Sequence, residues 1–595
     1  MEQAQLVRDF RNSEYYEMIS SLYSYPLYLG LSGNRYRSDF IYLSNQTGVP
    51  LLYRWDPVTS RSHVLTPGEE SVFPIFGGMA LPFNPSTPKA VFAKDKAGDL
   101  NYNIYVVDYS QNKIERITKD PLGQVLHIFW VTDDKWIIVG HDMKTIYVRF
   151  LEADGTTHDL YTTDRQITGA SYDHQRGLVA FSVGRGQDAR VAVLPISNPS
   201  DVHWAPDQGV PPYNPPAVYS EKGLLAYTVD AKSGSQEIAI VSFPALETVK
   251  HIPIPGTGYM DWLDENHLFG IVLKEGRLAP LTLDLQSEKW SEPLADISAL
   301  FSTVTRDGPV WTANSISQPP FLQALRNDTI VNLTKPTQEA SFHAQSQWYT
   351  SFDGRKIHGW LVKSPIPDAK LVVYLHGGPT ALQGDWWYPE LSALVLGGFH
   401  VFAPNFRGSD GYGAEFRDLN IGDLGGGDLE DVQYAAKHAH QVLGLKSKPA
   451  AVGGSYGGYL TLMALMIHPD DWAGGVAIAP PTDYVDEYYA DDAHYRTWCT
   501  HFFGGTPEEK KELYRDRSPI THLDKLKASV LIIAGENDSI VTLKLVRRFA
   551  EEAEKAHRPV ELFVAKDEGH GSLQSVNAIR DNILMVEHLK RIYNQ

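Results

Sequence analysis

The chain has a single cysteine, Cys499, among its 595 residues. No intrachain disulfide can staple it, which fits a reducing, cytoplasmic setting. It also lacks any run of 18 apolar residues, so no helix is expected to span a bilayer. The opening MEQAQLVRDFRNSEYYEM mixes charges and has no apolar core of signal-peptide length. Basic residues are in deficit: 53 Lys and Arg against 72 Asp and Glu leave a formal net charge of −19. That balance argues against nucleic acid or an anionic membrane as a partner. What remains, 43% hydrophobic and 21% charged residues, is the composition of a globular protein. At this length one hydrophobic core does not suffice, and at least two domains are expected.

The two halves of the chain differ in pattern. Up to about residue 325 short β runs recur between turn clusters, with little helical periodicity. Seven runs stand out: FIYLS at Phe40, AVFAKD at Ala90, WIIVG at Trp136, LVAFSV at Leu178, LLAYTV at Leu224, LFGIVL at Leu268 and VWTAN at Val310. Most are followed by a second run such as NIYVVDY, TIYVRFL, RVAVLPI or EIAIVSF. Their spacing of roughly 40 to 50 residues is that of four-stranded propeller blades. It favours a seven-bladed β-propeller over a pair of β-sandwiches. Beyond about residue 330, fully apolar runs (KLVVYLHGG, HVFAPNF, AAVGGS, GGVAIAP, SVLIIAG, ELFVAKD) alternate with helical stretches. Strands apolar on both faces belong in a helix-covered parallel sheet. The fold class is therefore α/β plus all-β. We expect a helix over 1–22 packing on the second half, a seven-bladed propeller over 23–328 and a doubly wound α/β domain over 329–595.

Chemistry concentrates at the ends of those apolar runs. In KPAAVGGSYGGYLTLMAL (448–465), Ser455 stands among four glycines where a strand turns into a helix. A bare Gly-x-Ser-x-Gly is a weak signal. Flanked by strand and helix, it projects a serine hydroxyl from a sharp corner above a helix N-terminus. Serine needs a neighbouring base, and in this architecture an acid and then a histidine follow in chain order. GENDS supplies Asp538 after one buried strand, and DEGHG supplies His570 after the next. Glu536 is the weaker alternative acid; Asp567 and Glu568 read as solvated loop residues. The oxyanion would take the backbone N–H of Tyr456, and a second one from the HGGP loop, where Gly378 is favoured over Gly377. His376 reads as a brace for that loop.

HGGP, PNFRGSDGYG (404–413), GGGDLEDV (425–432), GGSYGGY, GENDS and DEGHG together resemble the prolyl oligopeptidase family of serine hydrolases, most closely its acylaminoacyl-peptidase branch. The resemblance covers about residues 340–595. It implies an α/β-hydrolase catalytic domain over 329–595, an N-terminal propeller over a buried site, short peptides or small acylated or aminoacylated molecules as substrates, no metal or organic cofactor, and homo-oligomer formation. One position departs from the branch. Many members carry Arg-Val-Pro one residue after the acid, whereas this chain has Ser539-Ile540-Val541-Thr542. Ile540 is thus expected to contact substrate and to favour apolar groups. The expected function is a serine peptidase working through an acyl-enzyme; the rival is a specialised small-molecule amidase or esterase. A non-catalytic scaffold is disfavoured by the intact serine, acid, base and oxyanion loops.

Overall fold

The computed structural model describes residues 9–68, 72, 84, 86–210, 214–219, 221–230, 236–490 and 493–594. Seven antiparallel sheets succeed one another along the first half, over 29–64, 89–116, 124–163, 167–204, 217–253, 257–290 and 298–332. Six contain four strands and the second contains three among the described residues. Each holds one of the seven apolar runs as a buried strand, so this half is the expected seven-bladed propeller. Every blade uses consecutive strands, and the ring closes by packing between the first and last. Gly33 N donates to Thr303 Oγ1 at 2.7 Å, and Arg306 N donates to Arg37 O at 2.8 Å. Tyr28, Phe40 and Tyr42 share an apolar cluster with Val310 and Leu322.

The second half is built on one eight-stranded sheet, ordered 344–350, 356–362, 399–405, 370–375, 450–454, 474–478, 529–535 and 560–565. The first hairpin and its join to the third strand are antiparallel, and the remaining pairs are parallel. Helices cover both faces and give two apolar cores, one around Tyr459, Leu462 and Phe549, the other around Leu391, Val476 and Val586. In such a sheet the loops at the carboxyl ends of the parallel strands form the natural binding crevice.

The expected N-terminal helix departs from the sequence reading. Among the described residues it is two pieces, a 3-10 turn at Phe10–Asn12 and an α-helix at Tyr16–Leu22, and the part of the expected helix over 1–8 lies outside the described residues. Ser13 is extended between them and donates its hydroxyl to Glu587 at 2.6 Å. Serine's local hydrogen bonding competes with helix continuation. Tyr16–Leu22 packs on the helices Pro389–Leu396 and Ser575–Asn594 of the second half.

Several polar contacts seat the propeller on the sheet. The most buried is Arg417 Nη2 on Asp230 Oδ2 at 2.7 Å, with side-chain exposures of 4% and 1%. Asp385 accepts from Ile316 N at 3.1 Å and sends its own N–H to Gly276 O at 2.7 Å. The helix Ala493–Phe503 reaches across to the propeller through Arg496 on Met143 O and Thr497 on Asp164 O. Cys499 points the other way, into the hydrolase core.

Removing one member of a buried ion pair strands the other charge, at a cost of about 3–5 kcal/mol. Arg417→Ala should therefore lower the thermal midpoint clearly, while an exposed control such as Lys527→Ala moves it little. Differential scanning calorimetry reads the contrast.

Candidate active site

Strand Ala450–Gly454 runs straight into helix Tyr456–Ile467, and the single residue between them is Ser455, at φ 53° and ψ −121°. A non-glycine residue at positive φ is strained and persists only where its surroundings over-determine it. Here Ser455 N donates to Ile478 O at 2.8 Å, and Ser455 O accepts from Tyr459 N at 2.9 Å. The flanking glycines let backbone meet backbone. A Cβ at Gly457 would run into the Leu375 carbonyl, and one at Gly453 would lie 2.5 Å from Gly457. Gly454 differs: a Cβ there would meet nothing within 4 Å, because it faces the cavity.

Tyr456, the first residue of that helix, is pinned from behind by the GGGDLEDV motif. Its hydroxyl donates to the buried Asp428 carboxylate and accepts from Gly425 N at 3.0 Å. Asn420 Nδ2, Leu429 N and Gly425 N complete the set around Asp428 at 3.1, 2.8 and 3.3 Å. Burial holds the Asp428 carboxyl up to about 7 despite these donors. Asp431, also buried, takes Arg407 through three nitrogens at 2.8–2.9 Å. The acidic motif is structural: it fixes the helix N-terminus under Ser455.

Asp538 lies on the loop after strand Ser529–Gly535 and uses both oxygens. Oδ1 accepts from Ile540 N and Val541 N, each at 2.9 Å, while Oδ2 accepts from His570 Nδ1 at 2.8 Å. Side-chain exposures of 1% for Asp538 and 8% for His570 keep the pair out of bulk water. Burial alone would push the imidazole pKa down. The Asp538 charge and hydrogen bond, with a smaller push from Glu487, more than reverse this, so His570 titrates above the ordinary histidine value. Glu487 is itself buried and held up to about 8. Below that pH it is largely neutral, and Asp538 carries the effect.

The neighbouring acids separate clearly. Glu536 and Asp567 are exposed. Glu568 is not the solvated loop residue the sequence suggested: it is 1% exposed and accepts from Leu573 N, Gln574 N and Asn577 Nδ2 at 2.9, 3.2 and 2.6 Å. It thereby ties the His570 loop to the start of the last helix. The other side of that loop rests on the propeller, where Gly98 and Gly569 touch backbone to backbone.

The HGGP loop follows strand Lys370–Leu375. An ideal Cβ on Gly377 would sit 3.4 Å from the Ser455 Cβ, so the loop passes directly beside the serine. Gly378 has φ +127° and lines the same cavity. His376 stacks on Phe406 at 4.2 Å, its Nδ1 bonds Gly377 O at 2.7 Å, and its Nε2 meets Ser409 Oγ at 2.9 Å. Burial lowers it to about 4, so it is a neutral brace.

Ser455, Tyr456, Gly378, Ile540 and His570 all line one cavity of about 1260 Å³ between the propeller and the sheet, with Asp538 behind His570. The propeller contributes Leu100, Leu122, Met143 and Phe301. Ile540 touches apolar clusters of both halves. Sequence reading missed the aromatic wall of Tyr484, Tyr495 and Trp498, in which Tyr495 stacks on Trp498 at 5.4 Å and donates to Glu487 at 3.0 Å. The i, i+3 spacing of Tyr495 and Trp498 was a legible sign of one helix face. Among the described residues no group of three or more His, Cys, Asp or Glu could hold a metal ion, and no helix is long and apolar enough to cross a membrane.

The glycine geometry makes a sharp contrast testable. Gly457→Ala forces overpacking against Leu375 and should cost about 1–3 kcal/mol or more. Gly454→Ala enters open space and should leave the thermal midpoint unchanged. Equal midpoints for the two variants would show that the corner is not held by that approach.

Residues 387–595 match the profile of the prolyl oligopeptidase family. Dipeptidyl peptidase family member 6 of Caenorhabditis elegans is 31% identical over 236 residues, 39% of this chain and 32% of that protein. The acylamino-acid-releasing enzyme of Rattus norvegicus is 27% identical over 231 residues, 37% of this chain and 31% of its own. The chain thus matches about a third of the length of these curated relatives. A solved puromycin-hydrolyzing peptidase of Mycobacterium tuberculosis shares the fold across both halves. It has a TM-score of 0.81 at 17% identity and covers 96% of this chain and 95% of that one. Behind its seven-bladed propeller, the chain carries an α/β domain whose residues 387–595 are similar to the prolyl oligopeptidase family, and it shares its two-part fold with the mycobacterial peptidase.

Proposed function

We propose that the protein is a serine hydrolase that cleaves amide bonds of short peptides through an acyl-enzyme. One observation carries this reading: a serine on a strained strand-to-helix corner and a histidine already bonded to a buried carboxylate open onto the same cavity. Ser455 Oγ attacks the carbonyl carbon while His570 Nε2 takes its proton. Asp538, on Nδ1, holds the imidazole in the accepting tautomer and stabilises the imidazolium. The tetrahedral oxyanion is received by the backbone N–H groups of Tyr456 and Gly378. His570 then gives its proton to the leaving amine. Water, deprotonated by the same imidazole, releases the acid from Ser455. The scheme requires neither metal nor organic cofactor.

The propeller over the cavity restricts entry to short or small substrates, and the single buried thiol suits a cytoplasmic setting. The apolar contacts of Ile540 and the Tyr484–Trp498 wall favour an apolar or aromatic group beside the scissile bond. The same wall supports the second reading, an amidase or esterase for a small acylated or aminoacylated molecule. Puromycin, which the structurally similar mycobacterial peptidase hydrolyses, is a suitable probe for it. Matched acyl-amino-acid anilides and p-nitrophenyl esters separate the two readings by their kcat/KM ratio.

Ser455→Ala should abolish turnover, by several orders of magnitude, and leave the melting temperature intact. A fluorophosphonate should modify the wild type at Ser455 alone, as read by peptide mass mapping. A label on a different serine sinks the assignment.

The pH profile gives an independent check. Catalysis needs His570 unprotonated, and its folded-state pKa lies above the ordinary 6.5. The acid limb of kcat/KM, which reports the free enzyme, should therefore rise through an apparent pKa above that value. Asp538→Asn removes the charge that raises it. The residual activity of that variant should have its limb at lower pH; an unmoved limb would mean that another group titrates.

A further inference from the structure

Away from the triad, one wall of the cavity is built from groups that accept hydrogen bonds and, among the described residues, have no cation to balance them. Glu390 is in the first turn of helix Pro389–Leu396, two residues after Tyr388 at its N-cap, and is part-buried. Tyr374 is on strand Lys370–Leu375, two residues before the HGGP loop. All three line the same cavity as Ser455 and His570, and Phe301 of the seventh blade contributes to the same lining. The three are electrostatic neighbours: Glu390 and Tyr388 both act on Tyr374, and Glu390 acts on Tyr388.

Among the described residues Glu390 has no ion pair and accepts no hydrogen bond from another side chain; its one intramolecular donor is its own backbone N–H. Burial raises its pKa, and no lysine or arginine acts to lower it. A carboxylate in that state gains most from a cation brought in with a ligand. The tyrosines stay neutral, since burial pushes Tyr388 up to about 12 and Tyr374 well above its ordinary value. The Tyr374 hydroxyl oxygen is then available as an acceptor, and that of Tyr388, which already accepts from the Trp386 side chain, keeps a second lone pair. A primary ammonium has three donors and no acceptor, which matches one carboxylate and two hydroxyls. Aromatic faces beside it add cation–π attraction.

We propose that Glu390, with Tyr374 and Tyr388, receives a primary ammonium group of the substrate, so that the enzyme prefers amine-bearing substrates over N-blocked ones. The inference rests on the serine hydrolase reading and narrows it. It sets this chain apart from an enzyme that requires an N-acylated terminus. The ammonium could belong to a free α-amine or to a lysine side chain, and the test separates these.

Three coumarin amides with one leaving group suffice: leucyl, N-acetyl-leucyl and N-acetyl-lysyl. Wild type should turn over at least one amine-bearing substrate with a kcat/KM roughly tenfold or more above N-acetyl-leucyl, the scale of a charge-assisted hydrogen bond. The leucyl arm reports the α-amine and the N-acetyl-lysyl arm the side chain. Glu390→Gln keeps size and removes charge, and should collapse that ratio towards one. Tyr388→Phe should reduce it by a smaller factor. Thermal midpoints and fluorophosphonate labelling of Ser455 certify that the variants are folded. A wild type that prefers N-acetyl-leucyl, or a ratio that survives Glu390→Gln, overturns the proposal while leaving the hydrolase reading in place. Absence of labelling in the wild type overturns that underlying reading instead.

Discussion

The site depends on one close approach, the backbone of Gly457 against the carbonyl of Leu375. It lets the helix Tyr456–Ile467 start immediately after the strand Ala450–Gly454, with only Ser455 in the bend. A larger residue at Gly457 would lift the helix off the neighbouring strand, and Ser455 would lose its hydrogen bond to Ile478 O. The strain at Ser455 is therefore held by packing several residues away. Asp428 secures the corner from below, because its grip on the Tyr456 hydroxyl fixes the end of the helix that presents the backbone N–H. A buried carboxyl raised to about 7 is costly to maintain. Its donors, from Asn420, Gly425, Leu429 and Tyr456, explain how that cost is met.

The propeller is more than a cover. Its second blade meets the His570 loop at Gly98 and Gly569, and Asn537 Nδ2, one residue before Asp538, donates to Ala97 O at 3.1 Å. The loops that carry His570 and Asp538 are thus held between two halves of the chain. Asp538 spends one oxygen on the amides of its own loop and the other on His570. The second blade therefore touches the chain on both sides of that hydrogen bond, next to Asp538 at Asn537 and next to His570 at Gly569. The buried pair of Arg417 with Asp230 is a separate contact between the two halves, made from the fifth blade.

Much of this could be read from the residues because the signals are local. Each of the seven apolar runs is long and β-branched enough to declare a strand, and their regular spacing declares the blades. Ser455, Asp538 and His570 are flagged by glycines and acids at the ends of apolar strands. What stayed hidden depends on partners distant in sequence, or on local competition. Ser13 interrupts the N-terminal helix because Glu587 offers its hydroxyl a partner 574 residues away. Glu568 looked solvated because acids near a glycine usually are. Its donors, the backbone of Leu573 and Gln574 and the side chain of Asn577, belong to a turn that only the folded loop brings round to it. Glu390 carries no signal in the sequence, because an acid in a first helical turn is commonplace.

The cavity therefore holds two kinds of carboxyl group with opposite fates. Asp538 is fully engaged: two backbone amides and an imidazole stabilise its charge, and that charge is what raises His570. Glu487 is bonded to Thr482 N and the Tyr495 hydroxyl, yet burial still holds it near 8, so it contributes shape and hydrogen bonding more than charge. Among the described residues Glu390 has neither a cation nor another side chain as donor. Desolvation of a charge is tolerated in a protein when something compensates it, and the first two carboxyls are compensated within the fold. The third has its own backbone N–H as donor and is only part-buried, so solvent or a ligand in the cavity it shares with Ser455 can reach it.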